Sequence, residues 1–376
     1  MDWPLTYDDL EEHYSVAEEV MLVSGPADSP MPRSRPFPLP PHRLSEPDAA
    51  LKRHFPDQRF SVATARASVA TGKRGVCCAS GICTLCPVDA KFTVQNGLDS
   101  VFRDPRVTLQ LLSEVQTVDI EGAMAKGVVY TRDGRTERAS ADLVVLAASA
   151  LFNPHILLRS GLTHPWLGNG LHEQLSVVVM LDLKGMKAYN GSTILTGLGY
   201  LFYDGEHRRD YAACMTETWN SPFNQYYGGL RSERGRWNER FIIGFLFDDL
   251  PRQDNTVTIS SKSARLAETR FNGHSEYAER GVAQIPRMID KLSEALPIER
   301  ILSLERTATA SHIQGTVVMG NDPGSSVVDR HLIHHQVRNL LVLGAGSFPS
   351  ASPAYPTLTV SALSLWAADN LFSARA

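Results

Sequence analysis

The sequence predicts a mixed α/β (α+β) fold in which pieces of a parallel-sheet domain flank an inserted antiparallel-sheet domain. Three observations lead there. Residues 141–148, Ala-Asp-Leu-Val-Val-Leu-Ala-Ala, are apolar almost throughout, as a parallel strand covered on both faces would be. A second apolar run, Asn339-Leu-Leu-Val-Leu-Gly344, ends in a small-residue turn, and Pro356-Thr357 then opens a helix. Between them, residues 165–310 carry short alternating segments such as Ser176-Val-Val-Val-Met-Leu-Asp-Leu and Phe241-Ile-Ile-Gly-Phe-Leu-Phe, which read as antiparallel strands.

The 376 residues, 43% hydrophobic and 21% charged, suffice for two domains with sizeable cores. A net charge of -4 supplies no basic excess to neutralise phosphates, and no Lys/Arg stripe is interleaved with aromatics, so nucleic acid is not an expected partner. No apolar window is long enough to span a membrane, and Met1-Asp2-Trp3-Pro4 lacks both the basic and the apolar parts of an export signal. The expected compartment is cytoplasmic by default, or periplasmic if an exported partner carries the chain.

Along the chain, Thr6 is a candidate N-cap with Asp9 three residues on, and apolar residues recur at helical spacing through Leu10, Tyr14 and Leu22. From Ser24 to Pro56 there are nine prolines, which predict an extended strap with a helix resuming after Glu46. A turn at Asp133-Gly134 follows the strand-like Gly127-Val-Val-Tyr-Thr and leads towards the apolar run. Asn153-Pro154 is expected to open a helix that stops at Gly161, and another helix covers Gln284 to Ala295. The expected division is 1–164, 165–310 as a substrate-facing domain, and 311–376 returning to the first.

Cys77, Cys78, Cys83 and Cys86 crowd one segment, Cys-Cys-Ala-Ser-Gly-Ile-Cys-Thr-Leu-Cys-Pro, while Cys214 stands apart as an expected buried hydrophobe. Thiolates converging from a short loop suit a metal, so the segment reads as an iron–sulphur loop, a zinc site or a local Cys loop. His312 is a neutral-range base just before the Gly315-Thr316 turn. Thr357-Leu-Thr at a helix start offers N–H groups and a dipole to negative charge. Gly344-Ala345-Gly346 permits close backbone approach.

Taken in order, Ser311-His312-Ile-Gln-Gly-Thr-Val-Val-Met-Gly320, Ser326-Val-Val-Asp329, Asn339 to Pro349 and Tyr355-Pro-Thr-Leu-Thr resemble the C-terminal block of the glucose-methanol-choline (GMC) FAD-dependent oxidoreductases. Val144 to Gly161 resembles that family's second signature, and the resemblance runs over nearly all of residues 3–372. It implies FAD, hydride transfer from an alcohol or sugar, action as a dehydrogenase, and His312 as the base. It places Val115, Ala147, Ala148, Gly344, Ala345, Pro356 and Thr357 against the cofactor. Tyr355 stands where the family usually carries Asn or His as the second catalytic residue, a departure that reshapes the pocket. The Cys segment resembles that of flavin sugar dehydrogenases with a three-iron (3Fe-4S) cluster, with one gap a residue shorter. That likeness makes Cys78, Cys83 and Cys86 ligands, with Cys77 as the alternative to Cys78, and implies an electron-transfer partner.

No Gly-x-Gly-x-x-Gly follows a strand near the start, so the expectation is an incomplete Rossmann-like FAD-binding domain. The competing expectation is a catalytically incomplete fragment or subunit of a split GMC protein, completed by an N-terminal half chain.

Overall fold

The computed structural model describes residues 2–58, 60–80, 83, 85–220, 233 and 235–373. Helix α1 (Tyr7–Met21) opens on a capping box: the Thr6 hydroxyl accepts from Asp9 N–H, and the Asp9 carboxylate accepts from Thr6 N–H at 2.8 Å. The Pro-rich strap follows without a long regular element, and α2 (Glu46–His54) resumes with Ser45 as its cap. Next come the two-residue strand β1 (Phe60–Ser61) and the short helices α3 (Val94–Gly97) and α4 (Asp99–Arg103).

Strands β2 (Glu114–Glu121), β3 (Met124–Arg132) and β4 (Arg135–Ser140) form a three-stranded antiparallel sheet. Asp133 and Gly134, with φ of 49° and 75°, make the tight β3–β4 turn that their side chains permit. Strand β5 (Val144–Leu146) leads into α5 (Ser149–Arg159). The remaining elements are β6 (Leu175–Leu183), β7 (Leu195–Phe202), β8 (Cys214–Trp219), β9 (Arg240–Phe247), β10 (Thr256–Ile259), β11 (Ala267–Arg270), α6 (Glu276–Val282), α7 (Ile285–Leu292), β12 (Ile298–Arg306), β13 (Leu340–Val342) and α8 (Thr357–Ser373). The architecture is mixed α/β, with its large sheet antiparallel throughout. No described helix is long and apolar enough to cross a membrane.

That sheet has the order β1-β7-β8-β9-β6-β12, so β1 contributes an edge from the chain's first sixth. Side chains alternate across it. On one face Val179, Leu181, Ile243, Phe245 and Cys214 pack on α2, α6 and α7 as the main core. The other face turns Leu198, Met215, Glu217, Trp219 and Leu246 towards Tyr355. This second face is the wall on which the site is built.

Two local expectations change. The apolar strand was expected to be covered on both faces. It is three residues long, pairs in parallel with β13 alone among the described residues, and leaves Val145 46% exposed. Helix α5 begins at Ser149, so Pro154 lies inside it. Proline cannot donate to the carbonyl four residues back, that of Ala150. The Thr316 hydroxyl donates to that carbonyl at 2.7 Å, which satisfies the group that Pro154 leaves free.

Candidate active site

Three turns pack together at the ends of β5 and β13. Leu146 and Val342 are register partners, so the Ala147–Ser149 and Gly344–Ser347 turns emerge side by side. Asn153 ties them: its carbonyl accepts from Ala148 N–H at 2.8 Å and its amide donates to Leu343 O at 2.9 Å. The third turn, Gly315–Met319, joins through Gly315 N–H to Ala345 O and Val317 N–H to Gly346 O. Gly315 has φ of 81°, and a Cβ there would stand 2.2 Å from Gly170 O, so glycine is required. Thr316 beside it closes the contact to α5.

His312 lies just ahead of this turn. A β-bridge between His172 and Gln314 anchors the segment, and Glu173 Oε2 accepts from Thr309 Oγ1 and Ala310 N–H at 2.7 and 3.1 Å. Gln174 holds the imidazole. Its amide nitrogen donates to Ser352 O and Ala354 O at 2.5 and 2.7 Å, which turns its carbonyl oxygen to His312 Nδ1 at 2.7 Å. Nδ1 must therefore donate, and Nε2 is left as the lone-pair nitrogen of a neutral ring. Burial lowers the His312 pKa from its ordinary value, against a smaller opposing pull from Glu173, and so favours that neutral form. Nε2 makes no hydrogen bond among the described residues.

Tyr355 faces His312, ring centroids 5.4 Å apart. Its hydroxyl donates to Glu217 Oε2 from across the β8 wall. Glu217 is buried, pairs with no cation among the described residues, and has its carboxyl pushed up to about 8 by burial. Tyr200, Tyr203 and Trp219 pack around the same apolar cluster, and Tyr203 meets Ser352 at 3.1 Å.

The structure thus gathers His312 with Tyr355, and Ala147 and Ala148 with Gly344 and Ala345. Pro356 and Thr357 start α8 directly after Tyr355. Val115 is placed apart on β2, half-buried and paired with Tyr130, in the sheet that packs against α5. Gln174 and Glu217 were missed. The signal for Glu217 was present as a carboxylate between Met215 and Trp219 on one face of a strand, an acid among apolar alternates.

The Cys segment departs from its expectation. Cys77, Cys78, Cys83 and Cys86 are free and line one small recess with Arg66 and Lys91. Among the described residues no group of three His, Cys, Asp or Glu is placed to hold a metal. Cys78 is exposed, and Cys77 Sγ is turned to Thr193 Oγ1 at 3.6 Å, so the thiols do not converge on one point. Cys214 is fully buried, as expected.

Two GMC oxidoreductase family models match, the N-terminal one over residues 60–176 and the C-terminal one over 251–364. The chain belongs to the GMC oxidoreductase family and is an oxidoreductase. It is 25% identical to the fructose dehydrogenase large subunit of Gluconobacter japonicus over 99% of this chain and 75% of that protein. It is 30% identical to a C-glycoside 3-oxidase of Arthrobacter globiformis over 70% of this chain and 52% of that protein, and 27% identical to 2-methyl-1,2-propanediol dehydrogenase of Mycolicibacterium austroafricanum over 69% and 53%. The chain therefore spans about half the length of the latter two relatives. The fold is similar to that of pyridoxine 4-oxidase from Mesorbium loti, with a TM-score of 0.64 at 16% identity over 96% of this chain and 77% of that one.

The family implies FAD, and the turns fit its close approach. Gly344 has φ of 114° with nothing within 4 Å of an added Cβ, so the space beside it is open. Helix α5 begins at Ser149 with Ala148 as an N-cap that supplies no side-chain bond, and while Leu151 N–H donates to Ser149 Oγ at 3.4 Å, the Ser149 and Ala150 N–H groups remain for an external acceptor. Ser149, at φ of 76°, holds the sharp strand-to-helix turn that exposes them.

Proposed function

We propose that this chain oxidises a CH–OH donor, an alcohol or a sugar, by hydride transfer to FAD, with His312 as the base that accepts the hydroxyl proton and with the action of a dehydrogenase. The observation that carries the reading is the fixed Gln174 amide, which commits His312 Nδ1 as donor and leaves Nε2 free to accept. The relatives named for fructose, a propanediol and C-glycosides all act on hydroxylated small molecules, which supports that substrate class.

When bound, FAD would supply the hydride acceptor. Ala147, Ala148, Gly344, Ala345, Pro356 and Thr357 would hold it, with Val115 on the adenine side. Low local dielectric around half-buried His312 keeps its ring neutral until a substrate proton arrives. Tyr355 completes the pair that faces the substrate oxygen. The division into 1–164, 165–310 and 311–376 suits this assignment, with the second face of the large sheet packed behind Tyr355. The test is anaerobic flavin reduction by a panel of alcohols and sugars, in which His312→Ala should lose about 10²- to 10⁴-fold in rate. An unchanged rate would remove His312 from the mechanism.

A second reading is a catalytically incomplete subunit of a split GMC protein. It is favoured by β5, which is three residues long, pairs with β13 alone among the described strands and leaves Val145 46% exposed, so that an N-terminal half chain could add a strand beside it. Flavin content with and without the upstream reading frame co-expressed separates the two. For the Cys segment, the thiols of Cys78, Cys83 and Cys86, with Cys77 as the alternative to Cys78, would be the ligands of a cluster that passes electrons to a partner, and their lining of one recess is what supports that reading. Iron analysis, together with a spectrum that bleaches on reduction and is lost in Cys83→Ser, tests it.

A further inference from the structure

Glu217 is an anomaly on its wall. Its neighbours on that face of the sheet are apolar or aromatic, and its only hydrogen bond among the described residues is the one it accepts from Tyr355. The sheet makes room for it. Its cross-strand partner is Gly244, where a Cβ would stand 2.9 Å from Glu217 Cγ and 3.2 Å from the Trp219 ring. A carboxyl buried without a cation is costly unless it is neutral. Burial does push it up to about 8, so it carries its proton at neutral pH.

A neutral carboxyl is a donor as well as an acceptor, and so is a phenol. An ionised Glu217 could only accept, and would hold the Tyr355 proton away from His312. A protonated Glu217 can reverse the bond, donating to Tyr355 Oη and releasing the phenolic O–H towards His312 and whatever lies between them. The substrate oxygen, as it yields its own proton to His312 Nε2, gains negative charge and needs a donor.

We propose that Glu217 is the positioning residue of Tyr355, directing its hydroxyl so that Tyr355 donates a hydrogen bond to the substrate oxygen opposite His312. The inference rests on the alcohol-oxidising reading of this site. No proton leaves Tyr355: the hydroxyl proton passes to His312, and Tyr355 and Glu217 only orient and stabilise. The groups around the carboxyl are Tyr355 and His312 opposite, Tyr200 and Tyr203 from β7 and its following turn, and Trp219 on β8, with no ion pair to Glu217 among the described residues.

The experiment compares Glu217→Leu, Glu217→Gln, Tyr355→Phe and the Glu217→Leu/Tyr355→Phe double variant in flavin-loaded protein, with His312→Ala as control. Tyr355→Phe should slow flavin reduction at saturating substrate by about 10²-fold with little change in KM. Glu217→Leu should match it, and the double variant should be no slower than Tyr355→Phe alone. Glu217→Gln, whose amide can still donate to Tyr355, should recover most of the rate and lack the alkaline limb near pH 8 that the buried carboxyl should give the wild type. Wild-type rates in Glu217→Leu, or losses that multiply in the double variant, would overturn the proposal. Loss in those variants with none in His312→Ala would instead remove only the base assignment. A readout that needs no turnover is the fluorine resonance of 3-fluorotyrosine placed at 355, titrated with D-sorbitol. It should respond in the Glu217 protein and not in Glu217→Leu, and an identical response in both would refute the pairing.

Discussion

Replacing Glu217 with Gln should remove a large pH-dependent term from the stability of the fold. Raising the carboxyl from 4.5 to about 8 in a site that is almost fully buried disfavours its ionised form by about 5 kcal/mol, at 1.36 kcal/mol per pH unit. The sign follows from proton counts. Between these two values the folded protein holds a proton that the unfolded chain has released, so stability falls as pH rises. The contribution is fully present below 4.5 and is lost as pH rises through about 8. Urea denaturation of both proteins from about pH 5 to about pH 8 gives two curves, and their difference isolates this group from other titrating residues. The wild type should lose about 3–4 kcal/mol relative to Glu217→Gln over that range. A difference flat within about 0.5 kcal/mol would mean that the carboxyl is solvated or paired, and the argument for a neutral Glu217 would fail.

Four further outcomes follow from the same geometry. Gln174→Leu frees the His312 tautomer and should lower flavin reduction by about tenfold or more, read by stopped-flow, and should also cost about 1–3 kcal/mol in chemical denaturation because Ser352 O and Ala354 O lose their donor. Because burial holds the His312 pKa below its usual value, the base form is lost only as pH falls through that depressed value, so the acid limb of kcat/KM should lie below 6.5. Gly315→Ala places a Cβ against Gly170 O at positive φ and should cost about 2 kcal/mol or more, visible as a lower urea midpoint. Phe245→Ala opens a cavity among fully buried side chains and should cost about 3–5 kcal/mol by the same measurement.

Local chemistry was the most legible part of the sequence. The Thr6–Asp9 capping box, the helix resuming at Glu46 and the Asp133–Gly134 turn are each decided by groups within a few residues, and each formed as read. Pro154 was misleading because the carbonyl it orphans is rescued by Thr316, 166 residues away. The same distance in sequence hid half of the site. Gln174 meets His312 and Glu217 meets Tyr355 across 138 residues each, joined only when the antiparallel sheet closes over the C-terminal block. His312 and Tyr355 were legible because they sit inside an ordered motif. The Cys spacing gave the thiols' neighbourhood correctly, since all four line one recess, but spacing does not fix the direction of each Sγ.

The central claim, a flavin-dependent alcohol or sugar oxidation with His312 as base, is tested most directly by the visible spectrum of the purified protein under anaerobic conditions. The account predicts bound flavin with bands at roughly 375 and 450 nm that bleach on adding an alcohol or sugar substrate. In His312→Ala the same bands should be present and should not bleach on that timescale. A protein that takes up no flavin, or one whose flavin bleaches equally fast in both forms, would contradict it.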